Sequence, residues 1–242
     1  MSDSIKAVVF DWAWTLVDLG EENDRLPFAE VFEFLREKSV VPPDFEEFYA
    51  LYREIFYSSI GDSQKDHREA CFEPVLKYLL FYFSIDIAGR TTVKEILTRY
   101  YKKVYSSRNV FPDTVPALQA LQASGRRMGI ISNTTNPPFM KDYERVQSGL
   151  DPYFEFSLYS SDFPYRKPHA SIFRLASRYL KLDEKNILYV GDNPKNDIAG
   201  AQKAGMRAVW INRLGETCPE GIVPEFEIRS LSELSGIDCL QG

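Results

Sequence analysis

One short apolar strand stands apart from the others in this chain, and that separation limits the folds available to it. Residues 6–11 (KAVVFD) are β-branched and aromatic, with no polar alternation. That is the pattern of a parallel strand covered on both faces. The next comparable run is residues 126–132 (RRMGIIS). From about residue 110 onward helices and strands alternate. Predicted helices over 114–124, 138–148, 169–180 and 195–204 precede predicted strands at 126–132, 154–159, 186–192 and 207–212, reading NILYVGD and RAVWIN in the last two. Alternation at this spacing implies right-handed crossovers and a parallel sheet. The first strand belongs to that sheet, so what lies between is an insertion.

The inserted stretch reads as helical. Phe28, Val31, Phe32 and Leu35 fall at i, i+3, i+4 and i+7, and Phe48, Leu51, Tyr52 and Ile55 repeat the spacing. Leu76, Leu79, Leu80 and Phe83 do so again, and Ile96, Leu97, Tyr100 and Tyr101 share one face. Four amphipathic helices in series suggest a small bundle. Pro42-Pro43, Gly61-Asp62 and Gly89 are read as the breaks between them. The expected architecture is an α/β, Rossmann-like parallel sheet core formed by residues 1–18 and 109–242, with residues 19–108 as an inserted α-helical domain. The acidic cluster Glu21-Glu22-Asn23-Asp24 is expected to be a solvated hinge between the two.

Charge and composition narrow the function. The formal net charge of −6 and the lack of a long Lys/Arg run argue against nucleic acid as a partner. Cys71, Cys218 and Cys239 are scattered and form no CxxC pair, which argues against zinc and against a disulfide framework. The apolar run near the N-terminus is too short for a signal peptide, and no stretch approaches the about 18 apolar residues of a membrane span. A cytoplasmic protein with no membrane partner is expected.

Open parallel sheets bind ligands beyond the carboxyl ends of their strands. The predicted strands end at Asp11, at Ser132-Asn133 and at Gly191-Asp192, and Lys167 lies in a loop just before a helix. Two carboxylates, a hydroxyl and a lysine around one crevice suit phosphoryl transfer. The carboxylates can hold Mg²⁺, a hard ion that prefers oxygen. Metal and lysine would neutralise a phosphate, which otherwise repels an anionic nucleophile. Taken singly, each residue has a plain structural reading. Asp192 or Asp197 would cap the following helix, His67 and His169 would be ordinary surface residues, and Trp12 and Trp14 would be packing residues.

The same residues resemble the motifs of the haloacid dehalogenase (HAD) superfamily. That family's first motif, DxDxT after an apolar strand, is similar to Asp11-Trp12-Ala13-Trp14-Thr15. Its strand-terminal Ser or Thr resembles Ser132 in GIISN, its lysine resembles Lys167-Pro168, and its GDxxxxD resembles Gly191-Asp192-Asn193-Pro194-Lys195-Asn196-Asp197. The insertion after motif one resembles the family's helical cap. The resemblance implies a Mg²⁺-dependent phosphatase acting on a small phosphorylated substrate. Asp11 would be nucleophile and metal ligand, Asp192 and the carbonyl of Ala13 would be further ligands, and Ser132, Asn133 and Lys167 would bind the phosphoryl oxygens. Thr15 and Asp197 would support the site.

Ala13 departs from the phosphatase pattern, in which the second aspartate of motif one is the general acid/base. Alanine keeps the carbonyl but has no proton to give, and such catalysis is worth about 10²–10⁴-fold. Three readings stand side by side. The chain is an engineered variant whose parent carried aspartate at this position. Alternatively, it resembles phosphonoacetaldehyde hydrolases, which read DWAGT and use a cap lysine as Schiff base, with Lys65 as the candidate here. Or it is a weakly active or non-catalytic binding member of the fold. Arg53, Lys65, Arg68 and Arg108 are the candidate cap residues for substrate choice.

Overall fold

A computed structural model describes residues 4–21 and 23–240. Glu22, part of the expected hinge, lies outside them. Six strands form one parallel sheet in the order β5-β4-β1-β6-β7-β8. They are β1 (Ala7–Phe10), β4 (Arg127–Ser132), β5 (Phe156–Tyr159), β6 (Ile187–Gly191), β7 (Arg207–Ile211) and β8 (Phe226–Ile228). Helices α5 (Thr114–Ala123), α6 (Pro138–Gln147), α7 (Ala170–Leu180) and α8 (Ala199–Ala204) make the crossovers. β1 is buried along its whole length, as an uninterrupted apolar run in a parallel sheet requires. It sits at the centre, between β4 and β6, with Phe10 opposite Ile130 on one side and Val190 on the other. The α/β core with a parallel Rossmann-like sheet is therefore as expected. β8 had no prediction; it is three residues long and follows a loop rather than a helix.

The inserted helices are α1 (Arg25–Glu37), α2 (Phe45–Asp66), α3 (Phe72–Tyr82) and α4 (Val93–Tyr105). Their predicted apolar stripes are largely buried against one another, in a cluster rich in aromatic rings. Leu51, Ile55 and Phe83 sit at its margin, only partly buried. The expected break at Gly61-Asp62 is absent, and α2 runs straight through it. An interior glycine costs about 1 kcal/mol relative to alanine. Continuity is favoured by buried Ser63, whose hydroxyl donates to the Ile60 carbonyl at 3.0 Å and accepts from Arg166 at 2.7 Å. α2 ends instead at His67, whose φ of 59° is left-handed.

A two-stranded antiparallel ladder joins the helices to the sheet. β2 (Val17–Asp18) pairs with β3 (Asn109–Val110), so the chain leaves the core and returns to it side by side. The hinge reading fails at Asp24. Its carboxylate accepts hydrogen bonds from Tyr100 at 2.6 Å, Tyr52 at 2.9 Å and Tyr57 at 3.2 Å, which anchor the start of α1 to α2 and α4. Among the described residues, no helix is long and apolar enough to cross a membrane.

Candidate active site

Because β4, β1 and β6 are neighbours, their carboxyl ends open side by side. Asp11 directly follows β1, and its amide donates to the Val190 carbonyl at 2.9 Å. Ser132 closes β4, and Asp192 follows Gly191 at the end of β6. Lys167 arrives from the loop before α7. Its ammonium lies 2.6 Å from Asp11 Oδ1, 2.6 Å from Asp197 Oδ1, 2.8 Å from the Tyr189 hydroxyl and 3.0 Å from the Ile131 carbonyl. Both sides of the Asn133 amide hold this loop: Oδ1 accepts from the Lys167 amide at 2.8 Å, and Nδ2 donates to the Lys167 carbonyl at 2.9 Å. Burial disfavours the Lys167 charge, but Asp11 and Asp197 outweigh it and raise its pKa.

Carboxylate oxygens of Asp11, Asp192 and Asp197 lie within 4.8 Å of one another. Burial, with repulsion from Asp11 and Asp197, pushes the Asp192 carboxyl up to about 8. Asp197 is also raised, chiefly by burial, with Lys167 opposing. Three clustered carboxylates against one lysine carry a charge that a cation would relieve, and an all-oxygen donor set suits a hard divalent ion. The residues present thus fit a divalent metal.

The supporting parts are local. A side chain at position 191 would put its Cβ 2.4 Å from Asp197 Cγ, so only glycine lets that carboxylate lie against the strand. Asp197 Oδ2 accepts from the Asn193 amide at 2.9 Å. The expected cap by Asp192 or Asp197 is corrected: Asn193 fills that position and accepts from the Asn196 amide. The first turn after Asn193 is a π-helix over Pro194–Ile198, not regular α-helix. Thr15 is fully buried, with a hydroxyl that has no hydrogen-bond partner among the described residues. Ser132 Oγ makes only a long contact, 3.5 Å, with the Asn133 carbonyl. Trp12 is buried as expected, whereas Trp14 is 43% exposed at the tip of the motif-one turn, with φ of 59°.

A cavity of about 560 Å³ opens beside these groups, between sheet and helices. Ala13, Ser132 and Asn133 line it from the core, and Tyr57, Tyr100 and Arg108 from the other side. Of the four candidate cap cations, only Arg108 is part of its lining. Lys65 is 78% exposed and pairs with Asp62 at 2.9 Å, as a solvated surface lysine does, so it is not placed to meet a substrate aldehyde. The histidines are not simple surface residues. His169 stacks on Tyr165 and accepts from the Ser171 amide as the N-cap of α7.

Several functional candidates escaped sequence reasoning. Tyr189 lies two residues before Gly191 on a strand, hence on the same face, and this spacing could have flagged it. Arg213 donates to the Thr15 carbonyl at 2.8 Å and the Trp14 carbonyl at 3.3 Å while forking onto Asp113, so it braces the motif-one turn from far along the chain. Lys141 and Arg166 also line the cavity, and no local pattern announces either.

Comparison with known proteins agrees with this geometry. The family profile described as haloacid dehalogenase-like hydrolase matches residues 44–211, more than half of the chain. The glyceraldehyde 3-phosphate phosphatase of Methanopyrus kandleri is 30% identical over 238 residues, covering 95% of each chain. The crystal structure of a 2-haloacid dehalogenase from Pseudomonas syringae pv. Tomato superposes with a TM-score of 0.68 at 28% identity, over 96% of this chain and 97% of that one. The putative HAD-hydrolase YfnB of Bacillus subtilis, solved bound to magnesium, shares the fold with a TM-score of 0.64 at 20% identity, over 96% and 98%.

Proposed function

This chain belongs to the haloacid dehalogenase-like hydrolase family, and from that premise we propose that it hydrolyses a small phosphomonoester through an aspartyl phosphate on Asp11, with Mg²⁺ as its divalent cation. The observation that carries the reading is the Asp11 carboxylate, held 2.6 Å from Lys167 with two further carboxylates close by, next to a cavity lined by Ala13, Ser132 and Asn133. A relative similar along nearly its whole length is a phosphatase of a three-carbon phosphate ester, which supports a small substrate. In this reading residues 1–18 and 109–242 are the catalytic core, and residues 19–108 are the cap that covers the site and excludes water.

Asp11, Asp192 and the Ala13 carbonyl would hold the cation, which when bound would neutralise phosphoryl charge. Ser132 and Lys167 bind phosphoryl oxygens; Asn133 fixes the Lys167 loop and offers its second amide hydrogen. With Oδ1 held by Lys167, the other Asp11 oxygen attacks phosphorus. The phosphorus–ester oxygen bond breaks as the aspartyl phosphate forms, and the leaving alkoxide takes its proton from water. Water then attacks that phosphorus, releasing inorganic phosphate and restoring Asp11. Asp197 and Thr15 keep Lys167 and the motif-one turn in place.

Ala13 supplies no proton at either step, so the reading expects weak turnover of alkyl esters. The test is hydrolysis of p-nitrophenyl phosphate with Mg²⁺, whose leaving group needs no acid, before and after Ala13→Asp. Recovery on the order of 10²–10⁴-fold for alkyl phosphates in the variant supports a phosphatase that lacks its acid, whether natural or engineered. A second reading, a non-catalytic binding protein, draws on the same Ala13. It is favoured if neither form turns over the aryl ester.

A further inference from the structure

Two lysines are buried beside this site, and they are not equally occupied. An ammonium has three hydrogens to donate. Lys167 has four acceptors within 3.0 Å for its three hydrogens, so it meets a phosphoryl oxygen by exchanging one of them. Lys141, on α6, is 4% exposed and lines the cavity together with Ala13, Ser132 and Asn133. Its one hydrogen-bond acceptor among the described residues is Glu144, a short, buried ion pair one helical turn along. Two of its three hydrogens therefore have no acceptor among the described residues, beside a cavity that Lys141 lines.

The Glu144 carboxylate is in turn shared. It also accepts from the Trp12 indole at 3.0 Å and from Arg108 at 3.1 Å. Trp12 sits directly after Asp11, so the pair is tied to the motif-one strand, and the Lys141 ammonium lies 5.3 Å from the Trp12 ring centre. A buried cation with spare donors costs free energy unless something accepts from them. Where phosphatases of this family carry a second motif-one carboxylate in the same cavity, this chain has the methyl group of Ala13. Burial lowers the Lys141 pKa, while Glu144 and Asp11 act to keep it protonated.

We propose that Lys141 is a substrate-binding residue for a second anionic group, so that the preferred substrates are phosphate esters that also carry a carboxylate. The inference rests on the phosphatase reading of the site and names the substrate class for it. Ser132 and Lys167 take the phosphoryl end. Lys141, braced by Glu144, takes the carboxylate. Arg108 acts through Glu144 as a positioning residue.

The test uses a pair of probes that differ only at that group, 3-phosphoglycerate and glycerol 3-phosphate, with inorganic phosphate as the common base. Binding is measured by calorimetry with Mg²⁺ on the chain as it stands. The expected result is at least about tenfold tighter binding of 3-phosphoglycerate over glycerol 3-phosphate, as for a desolvated charge-assisted pair. Lys141→Met should abolish that preference and leave inorganic phosphate binding unchanged. Glu144→Gln removes the charge that keeps the buried ammonium protonated and in place, so it should shrink the ratio toward one, more so as pH rises. This second variant keeps the test decisive if Lys141→Met does not fold, and a purely structural pair would leave the ratio between the two esters unmoved. Phosphate binding with no preference between the two esters overturns this inference alone. Failure of inorganic phosphate itself to bind removes the phosphatase reading and the inference with it.

Discussion

Around the sheet the chain packs Val8, Phe10, Ile130, Leu188, Val190 and Val209; among the inserted helices it packs Phe28, Phe32, Phe48, Tyr52, Phe72 and Tyr100. The first set is mostly branched aliphatic side chains on strands whose register is fixed by backbone hydrogen bonds. The second is rings in mostly edge-to-face contact, with Phe28 alone touching Phe48, Tyr49, Tyr52, Phe72 and Tyr100. Groups that must meet within a few tenths of an ångström sit at strand ends, where the backbone places them. The groups opposite them ride on helices whose angles depend on how rings nest. The division suggests where change is tolerated: the cap can repack and alter its wall while the carboxylates and Lys167 stay put.

Three measurements can break or sharpen that contrast. The largest effect is expected from Lys167→Ala, which strands the Asp11 and Asp197 carboxylates in a buried site. Removing one partner of a buried ion pair costs about 3–5 kcal/mol. Urea unfolding without metal should show it, with partial rescue by Mg²⁺. Phe28→Ala should cost about 3 kcal/mol through the cavity left among the rings. It should leave Mg²⁺ affinity unchanged when titrated on the folded variant, and a fall in affinity would mean that cap packing reaches the carboxylates after all.

The third measurement is the pH dependence of the metal-free protein. Folded Asp192 keeps its proton up to about 8, against an ordinary 3.8, so the folded state binds more protons than the unfolded across that window. Asp197 adds to the lower part of it. Stability should therefore fall, not rise, as pH increases from about 4 to 8. Saturating Mg²⁺ should flatten or reverse the slope. Thermal melts with EDTA and with Mg²⁺ across this range would check it, and a metal-free protein that gains stability toward pH 8 would contradict it.

The parts legible in the sequence share a physical cause. Asp11, Ser132 and Asp192 follow uninterrupted apolar strands, and Lys167 precedes a strongly amphipathic helix, so each is announced by its immediate neighbours. What escaped depends on partners far along the chain. Asp24 looked like a solvated charge because Tyr52, Tyr57 and Tyr100, its three donors, are 28, 33 and 76 residues away. Lys141 and Glu144 look like an ordinary i,i+3 surface pair until Trp12 and the cavity close over them. Gly61-Asp62 signalled a break that Ser63 and Arg166 override from outside the helix. β2 and β3, two residues each, are below the length at which any periodicity can be read.

The short ladder between Val17–Asp18 and Asn109–Val110 makes the helical block a cassette. Both of its ends leave the sheet through adjacent residues, paired at an ordinary antiparallel separation of about 5 Å. A transplanted bundle from another protein would have to match that gap and replace the bonds this one makes to the core, such as Ser63 with Arg166 and the Phe72 amide with the Thr135 carbonyl. Grafting at those four residues is thus a route to new chemistry-bearing hybrids that inherit the acidic trio intact while acquiring a foreign roof.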